Sequence, residues 1–261
     1  MTDAVLVATA RTPIGTAYKG SLVDVDALEL GILTVAEIVR RAGVDPSLVD
    51  DIVLAESLYG GGVIARYAAI EAGMEQVPGA AQNRHCAAGL TAITTAAGSI
   101  RAGMDRVVIA GGVQSSSTAP RSRRRAPGSQ DRDGWMSPRH RDRPTAPNLD
   151  MSITVGWNAA VEAGVTREEM DAWAFRSHQR AVAAIDNGSF ADEIFPVGSF
   201  AVDEHPRRDS TMEKLASLKP LHPEIEGFSI TAGNAAGIND GAAAVLVADR
   251  ALAEAEGMTP L

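Results

Sequence analysis

Gln82 to Gly112, QNRHCAAGLTAITTAAGSIRAGMDRVVIAGG, decides the fold class. It opens on an extended segment, Gln82-Asn83-Arg84-His85-Cys86. A small-residue helix over roughly 87–102 comes next, and its Leu90, Ile93, Ala97 and Ile100 are spaced three, four and three apart, marking one buried face. Val107-Val108-Ile109-Ala110 is short and fully apolar, as a strand covered on both faces should be, and Gly111-Gly112 reads as its end. The same alternation holds upstream. Residues 4–9 (AVLVAT) read as a strand closed by Arg11-Thr12-Pro13-Ile14-Gly15. Leu30, Leu33 and Ile38 recur at helical spacing between Asp26 and Ala42, with Gly43 as the stop. Residues 50–54 (DDIVL) predict a second strand and 64–73 a second helix. Strand and helix in alternation predict an α/β layer.

The pattern breaks at 113–150, a stretch rich in Ser, Arg, Pro and Asp that is too long for an ordinary connection. Helical patterning resumes over 151–188, where Thr166-Arg167-Glu168-Glu169 has the form of a capping box. A last apolar run, 242–248, precedes a short helix. The expected organisation is one α/β layer, 1–113 and 230–261, interrupted by a mostly helical insertion over 114–229. There are no internal repeats.

The net charge of −9 over 261 residues argues against general nucleic-acid binding. Residues 121–143 depart from it with eight Arg against three Asp, so the remainder of the chain carries −14. A basic island in an acidic protein suits an anionic partner such as a phosphorylated cofactor, and equally a solvated loop. One cysteine rules out an intrachain disulfide and a cysteine-based zinc site. No stretch approaches the ~20 apolar residues of a membrane span, and the N-terminus runs into a strand with no basic leader. These features predict a soluble protein of the reducing cytoplasm.

Cys86 is the sharpest chemical candidate. Placed between an extended segment and a helix, its sulfur is expected near first-turn N–H groups, where the helix dipole favours the thiolate. Ala87-Ala88-Gly89 leave room for a bulky substrate. The alternative is a small buried hydrophobe. His85 is a poor base for it, because adjacent residues usually point apart. The segment 231–241 (TAGNAAGINDG) has backbone that can approach a ligand, or that serves plain turns. His222 reads as loop, His140, His178 and His205 lack metal spacing, and Trp157 and Trp173 read as packing residues of the insertion.

Taken in order, several of these segments resemble the thiolase family over essentially the whole chain. They are Ala10-Arg11-Thr12-Pro13-Ile14-Gly15, Asn83-Arg84-His85-Cys86-Ala87-Ala88-Gly89-Leu90, Gly111-Gly112, Thr166 to Ala174 (TREEMDAWA) and Thr231 to Val245 (TAGNAAGINDGAAAV). The resemblance implies an N-terminal βαβαβαββ half on a mixed sheet, with the insertion binding coenzyme A as substrate. It makes Cys86 the acyl-carrying nucleophile. It places Arg207 near the adenine and phosphates of coenzyme A and Ala232 along the pantetheine arm, and it counts Met151 among the coenzyme A-binding residues.

Three positions depart from the familiar pattern. Lys214 stands where a serine touches the nucleotide, Ala236 replaces a serine that bonds the pantetheine, and Asp150 precedes Met151 where a histidine is common. The resemblance further implies a second half bearing a Gly-His-Pro histidine, a Cys-x-Gly cysteine and an oxyanion-hole segment, and none of these is present in the 261 residues. His222 falls in the insertion and cannot replace that histidine. The expectation is therefore a thiolase-type acyltransferase with its C-terminal half absent or supplied as a separate partner, in a homodimer or homotetramer. The competing expectation is a non-catalytic acyl-CoA-binding or partner subunit. A ketoacyl synthase fits the closing segment less well.

Overall fold

The computed structural model describes residues 3–261. In chain order these form β1 (Ala4–Arg11), β2 (Gly15–Thr16), α1 (Ala27–Ala42), β3 (Asp51–Ala55), α2 (Ile64–Glu71), β4 (Gly79–Gln82), α3 (Ala88–Arg101) and β5 (Val107–Ser115). A hairpin follows, β6 (Arg123–Arg125) and β7 (Arg132–Gly134). Then come a π-helical turn over Ser152–Trp157, α4 (Asn158–Ala163), α5 (Arg167–Asp186) and α6 (Met212–Ala216). The chain closes with β8 (Asn239–Asp249) and α7 (Arg250–Ala255). Leaving out β2, the stretch from β6 to α6 and the closing α7, the order is βαβαβαββ, as the resemblance implies.

Two compact units result. One holds the described part of Met1–Pro120 with Phe190–His205 and Ile238–Leu261; the other holds Arg121–Ser189 and Pro206–Gly237. The first unit is built on a mixed sheet in the order β1-β8-β5-β3-β4, with β2 also on β8. β3 runs parallel to both β4 and β5, while β8 is antiparallel to β5 and β1. Side chains alternate between the faces, as the two-residue period of a strand requires. Ile52, Leu54, Ile109 and Leu246 pack with Leu30 and Ile38 of α1 and Ile64 of α2. Val53, Val108, Ala110 and Val247 pack instead with Ala92, Ala96 and Ile100 of α3.

Helix α1 begins and ends where the sequence predicts. Asp26 accepts a hydrogen bond from the Glu29 N–H, and Gly43 takes the left-handed conformation, φ 62°, that closes the helix. Glu37 on this helix is 14% exposed and bonds Arg40 and Arg41, at 2.7 and 2.6 Å. Hydrogen bonding from Arg40 first, then Arg41, outweighs burial and holds its carboxyl down at about 2. A depressed carboxylate stabilises the fold above its ordinary pKa and loses that contribution as pH falls through the folded value. Glu37→Gln is accordingly expected to cost on the order of 1–2 kcal/mol at neutral pH, discounted for the exposed Arg40. The difference should close towards pH ~2 in denaturant titrations run at several pH values.

Three readings need correction. The buried face of α3 is Ala88, Ala92, Ala96 and Ile100, while Leu90 is 68% exposed and Ile93 and Ala97 are only partly covered. Alanines at every fourth position let the helix lie close on the sheet, which the larger side chains could not. Gly111-Gly112 do not end β5, which continues to Ser115. A Cβ on Gly111 would stand 2.1 Å from the Ala243 carbonyl oxygen, and one on Gly112 would stand 2.8 Å from the Ala55 Cβ. These glycines therefore mark close strand contact inside the sheet rather than its edge. Gly112→Ala should cost about 1–3 kcal/mol, read as a lower urea midpoint at unchanged m-value. Finally, residues 190–205 pack in the first unit rather than with the insertion, since Arg11 bonds Glu193 at 2.7 Å and Asp203 at 2.8 Å.

In the second unit, Thr166 and Glu169 form the reciprocal capping box that starts α5. Trp157 packs as expected, its ring 5.2 Å from that of Phe228. Trp173 does not. It is 67% exposed and its ring is covered by Arg176 at 4.2 Å, an attraction of cation and ring rather than core packing.

Candidate active site

Cys86 sits in the turn between β4 and α3, two residues before the helix begins, and its side chain is exposed. The turn is built from its own backbone. Asn83 Oδ1 accepts from the His85 N–H at 3.0 Å. The Arg84 and His85 carbonyls accept from the Ala87 and Ala88 N–H groups, at 3.1 and 3.0 Å. His85 is held at φ 48°, a conformation that costs a non-glycine residue about 1–3 kcal/mol and recurs at functional sites. No hydrogen bond links the His85 ring to the Cys86 sulfur among the described residues. The geometry gives His85 a backbone role next to Cys86.

Gly89, three residues beyond Cys86, borders a cavity of about 440 Å³ on the α3 side of the sheet, together with Ile93, Ala10, Arg11, Gly112 and Val245. A Cβ at Gly89 would meet nothing within 4 Å. The small residues after the cysteine thus leave open space, as their types suggest.

The residues expected at the cofactor, Met151, Arg207, Lys214, Ala232 and Ala236, all lie in the second unit. Contacts within that unit join the segments that bear them. Leu215, beside Lys214 on α6, and Leu218 fill the space at Gly233, where a Cβ would be 2.6 and 2.5 Å from their methyls. Lys214 Nζ donates to Asp209 Oδ2 at 2.7 Å. The Asp209 carboxyl is lowered by the hydrogen bond from Lys214 first, with the Arg207 charge adding to it. The Arg207 N–H donates to His178 Nδ1 at 3.3 Å.

Ala232 and Ala236 are exposed, four residues apart, on a turn in which Thr231 Oγ1 accepts from the Gly233 and Asn234 N–H groups, at 3.1 and 3.3 Å. Asn234 Nδ2 donates to Asp171 Oδ1 at 2.9 Å. Both N–H groups are spent on turn chemistry, and the exposed side remains with the alanines. Met151 Sδ accepts from Arg139 Nη1 at 2.8 Å.

His222 lies in a loop, as expected, but the loop is anchored. Its Nε2 is 2.8 Å from Asp150 Oδ2 and its Nδ1 2.9 Å from Glu224 Oε1. Hydrogen bonding to Glu224, with the charge and hydrogen bond of Asp150 adding to it, raises its pKa despite the opposing effect of burial. The Asp150–His222 pair spans 72 positions and has no local sequence signal. A histidine near Asp150 could have been suspected only from the departure at Asp150 itself.

Residues 4–251 match the family model described as "Thiolase, N-terminal domain". The chain is 39% identical to an acetyl-CoA acetyltransferase of Pseudomonas aeruginosa, over all of this chain and 70% of that protein. It is 36% identical to the acetyl-CoA acetyltransferase of Escherichia coli, over all of this chain and 69% of the relative. A beta-ketoadipyl-CoA thiolase of P. aeruginosa is 40% identical over 96% of this chain and 67% of its own length. Among solved structures, the Bacillus anthracis acetyl-CoA acetyltransferase superposes with a TM-score of 0.86 at 35% identity, covering 100% of this chain and 69% of the other.

Proposed function

Because this chain belongs to the thiolase family, we propose that it carries acyl groups as a thioester on Cys86 and passes them to and from coenzyme A. In the thiolytic direction the Cys86 thiolate attacks the keto carbonyl of a 3-ketoacyl-CoA. A carbon–sulfur bond forms, and the carbon–carbon bond breaks to release the enolate of acetyl-CoA, which takes up a proton. The thiolate of free coenzyme A then attacks the thioester, the bond to Cys86 breaks, and acyl-CoA leaves with the Cys86 thiolate restored, so that one hard step becomes two easier ones. Condensation of two acetyl-CoA molecules is the reverse.

Support comes chiefly from the exposed lone cysteine in a strained turn at the start of α3. The second unit, Arg121–Ser189 with Pro206–Gly237, is proposed to bind coenzyme A, Arg207 and Lys214 serving the phosphates and Met151, Ala232 and Ala236 the pantetheine arm. A homodimer or homotetramer in the cytoplasm completes the reading; no described helix is long and apolar enough to cross a membrane.

One observation favours a second reading. The 261 residues hold a single cysteine, so no second cysteine among them can act as acid and base. On that reading these residues bind acyl-CoA without turnover, or act with a C-terminal half that other residues supply. Chromatography of coenzyme A esters after mixing the chain with acetoacetyl-CoA and coenzyme A separates the two. Acetyl-CoA formation supports transfer, whereas binding without product, even with a relative's C-terminal part added, supports the second reading.

A further inference from the structure

The turn Ser152–Trp157 is π-helical, a rare conformation often found at functional sites. One loop pins both of its ends. His222 holds Asp150 at 2.8 Å just before the turn, and Phe228 packs against Trp157 at its end, with 5.2 Å between centroids and the rings tilted by 39°. The His222 ring also stands edge-on to Phe228, 5.0 Å away at 79°. In the middle, Gly156 lies against Ile230, since a Cβ there would be 3.4 Å from the Ile230 side chain. Asp150 Oδ1 accepts from the Ser152 N–H and hydroxyl, at 3.0 and 2.6 Å, which leaves Oδ2 for the histidine.

The charged groups facing the His222 ring are Asp150, from the segment ahead of the turn, and Glu224, from its own loop. Arg139 lies on Met151 instead. Both carboxylates only accept hydrogen bonds. A neutral imidazole has one donor and one lone pair, so only the imidazolium can bond both. On deprotonation one carboxylate faces a lone pair and the pair loses its charge assistance.

We propose that His222 is a positioning residue: as imidazolium it clamps Asp150 and Glu224 together and so sets the place of Met151 and of the π-helical turn behind it. This rests on the reading above that Met151 faces the pantetheine arm of coenzyme A. A chain whose His222 is charged then binds the cofactor arm more tightly, and by reciprocity cofactor binding raises the proton affinity of His222.

The test has a ligand-free arm and a coenzyme A arm, each run across a pH range wide enough for NMR to follow His222 from imidazolium to neutral imidazole. In a Trp135→Phe, Trp173→Phe background, Trp157 fluorescence should change with the midpoint that NMR gives for His222. His222→Gln should abolish that transition, and Asp150→Asn, which keeps the ring, should weaken it. In calorimetry with coenzyme A, wild-type affinity should fall roughly 5- to 10-fold more across this range than that of His222→Gln. Comparing the two proteins cancels titration of the ligand's own phosphate. A flat Trp157 signal while His222 titrates, or a His222→Gln protein with the wild-type pH profile, overturns the proposal. A Trp157 transition with no coenzyme A binding by either protein keeps the clamp and removes the function proposed for Met151.

Discussion

Asp171→Ala is expected to destabilise the second unit by about 3–5 kcal/mol, the cost of breaking a buried ion pair from one side. Asp171 is 2% exposed and its two oxygens have separate partners. Oδ2 bonds Arg167 Nε at 2.8 Å, one turn earlier on α5, and Oδ1 accepts from Asn234 at 2.9 Å. Arg167 Nη2 in turn donates to the Leu215 and Leu218 carbonyls at 2.7 and 3.1 Å. One carboxylate thus ties α5 to the end of α6 and to the turn bearing Ala232 and Ala236. Removing it leaves a guanidinium and an amide without their acceptor. Replacing the pair together, by Arg167→Met with Asp171→Leu, should recover much of the loss, because neither charge is then stranded. Hydrogen exchange resolved by residue is the suitable readout. Protection should fall at 231–237 and along α5 while the β5 and β8 amides keep theirs. A loss under about 1 kcal/mol would show that the network is not what holds the turn.

Cys86→Ser carries the largest expected effect on activity. Acyl transfer through the side chain should fall by at least about three orders of magnitude, since a hydroxyl is seldom ionised at neutral pH and no base among the described residues is hydrogen-bonded to this position. Coenzyme A affinity should stay within about two-fold, because the residues proposed to bind it lie in the other unit. Folding should be unaffected, as the side chain is exposed. Equal losses in transfer and in binding would place the cysteine in cofactor binding rather than in chemistry.

Local signals account for what could be read from the sequence. Asp26, Gly43 and the capping box at Thr166 are decided within four residues of themselves, and the structure shows each in place. The place of Cys86 was legible for a similar reason, since it stands at a junction of extended and helical patterning that the structure shows between β4 and α3. What stayed hidden depends on distant partners. β4, Gly-Ala-Ala-Gln, has no β-branched residue and becomes a strand by pairing with β3. Its Gly79 is required because a Cβ would stand 2.3 Å from the Arg66 amide nitrogen of α2. The hairpin of β6 and β7 is exposed on both sides, so it lacks the alternation that marks a half-buried strand. Arg11 belongs to a recognisable motif, yet its carboxylate partners lie 182 and 192 positions away. The left-handed conformation of His85 has no compositional marker at all.

The central claim is that Cys86 is where acyl groups become covalent. The measurement that tests it most directly is peptide-resolved mass spectrometry after brief incubation with acetyl-CoA and acid quenching. The account predicts one acetyl group on the peptide containing Cys86, removed by added coenzyme A and absent from Cys86→Ser. An unmodified Cys86 peptide with coenzyme A bound, or acetylation that persists in Cys86→Ser, would contradict it.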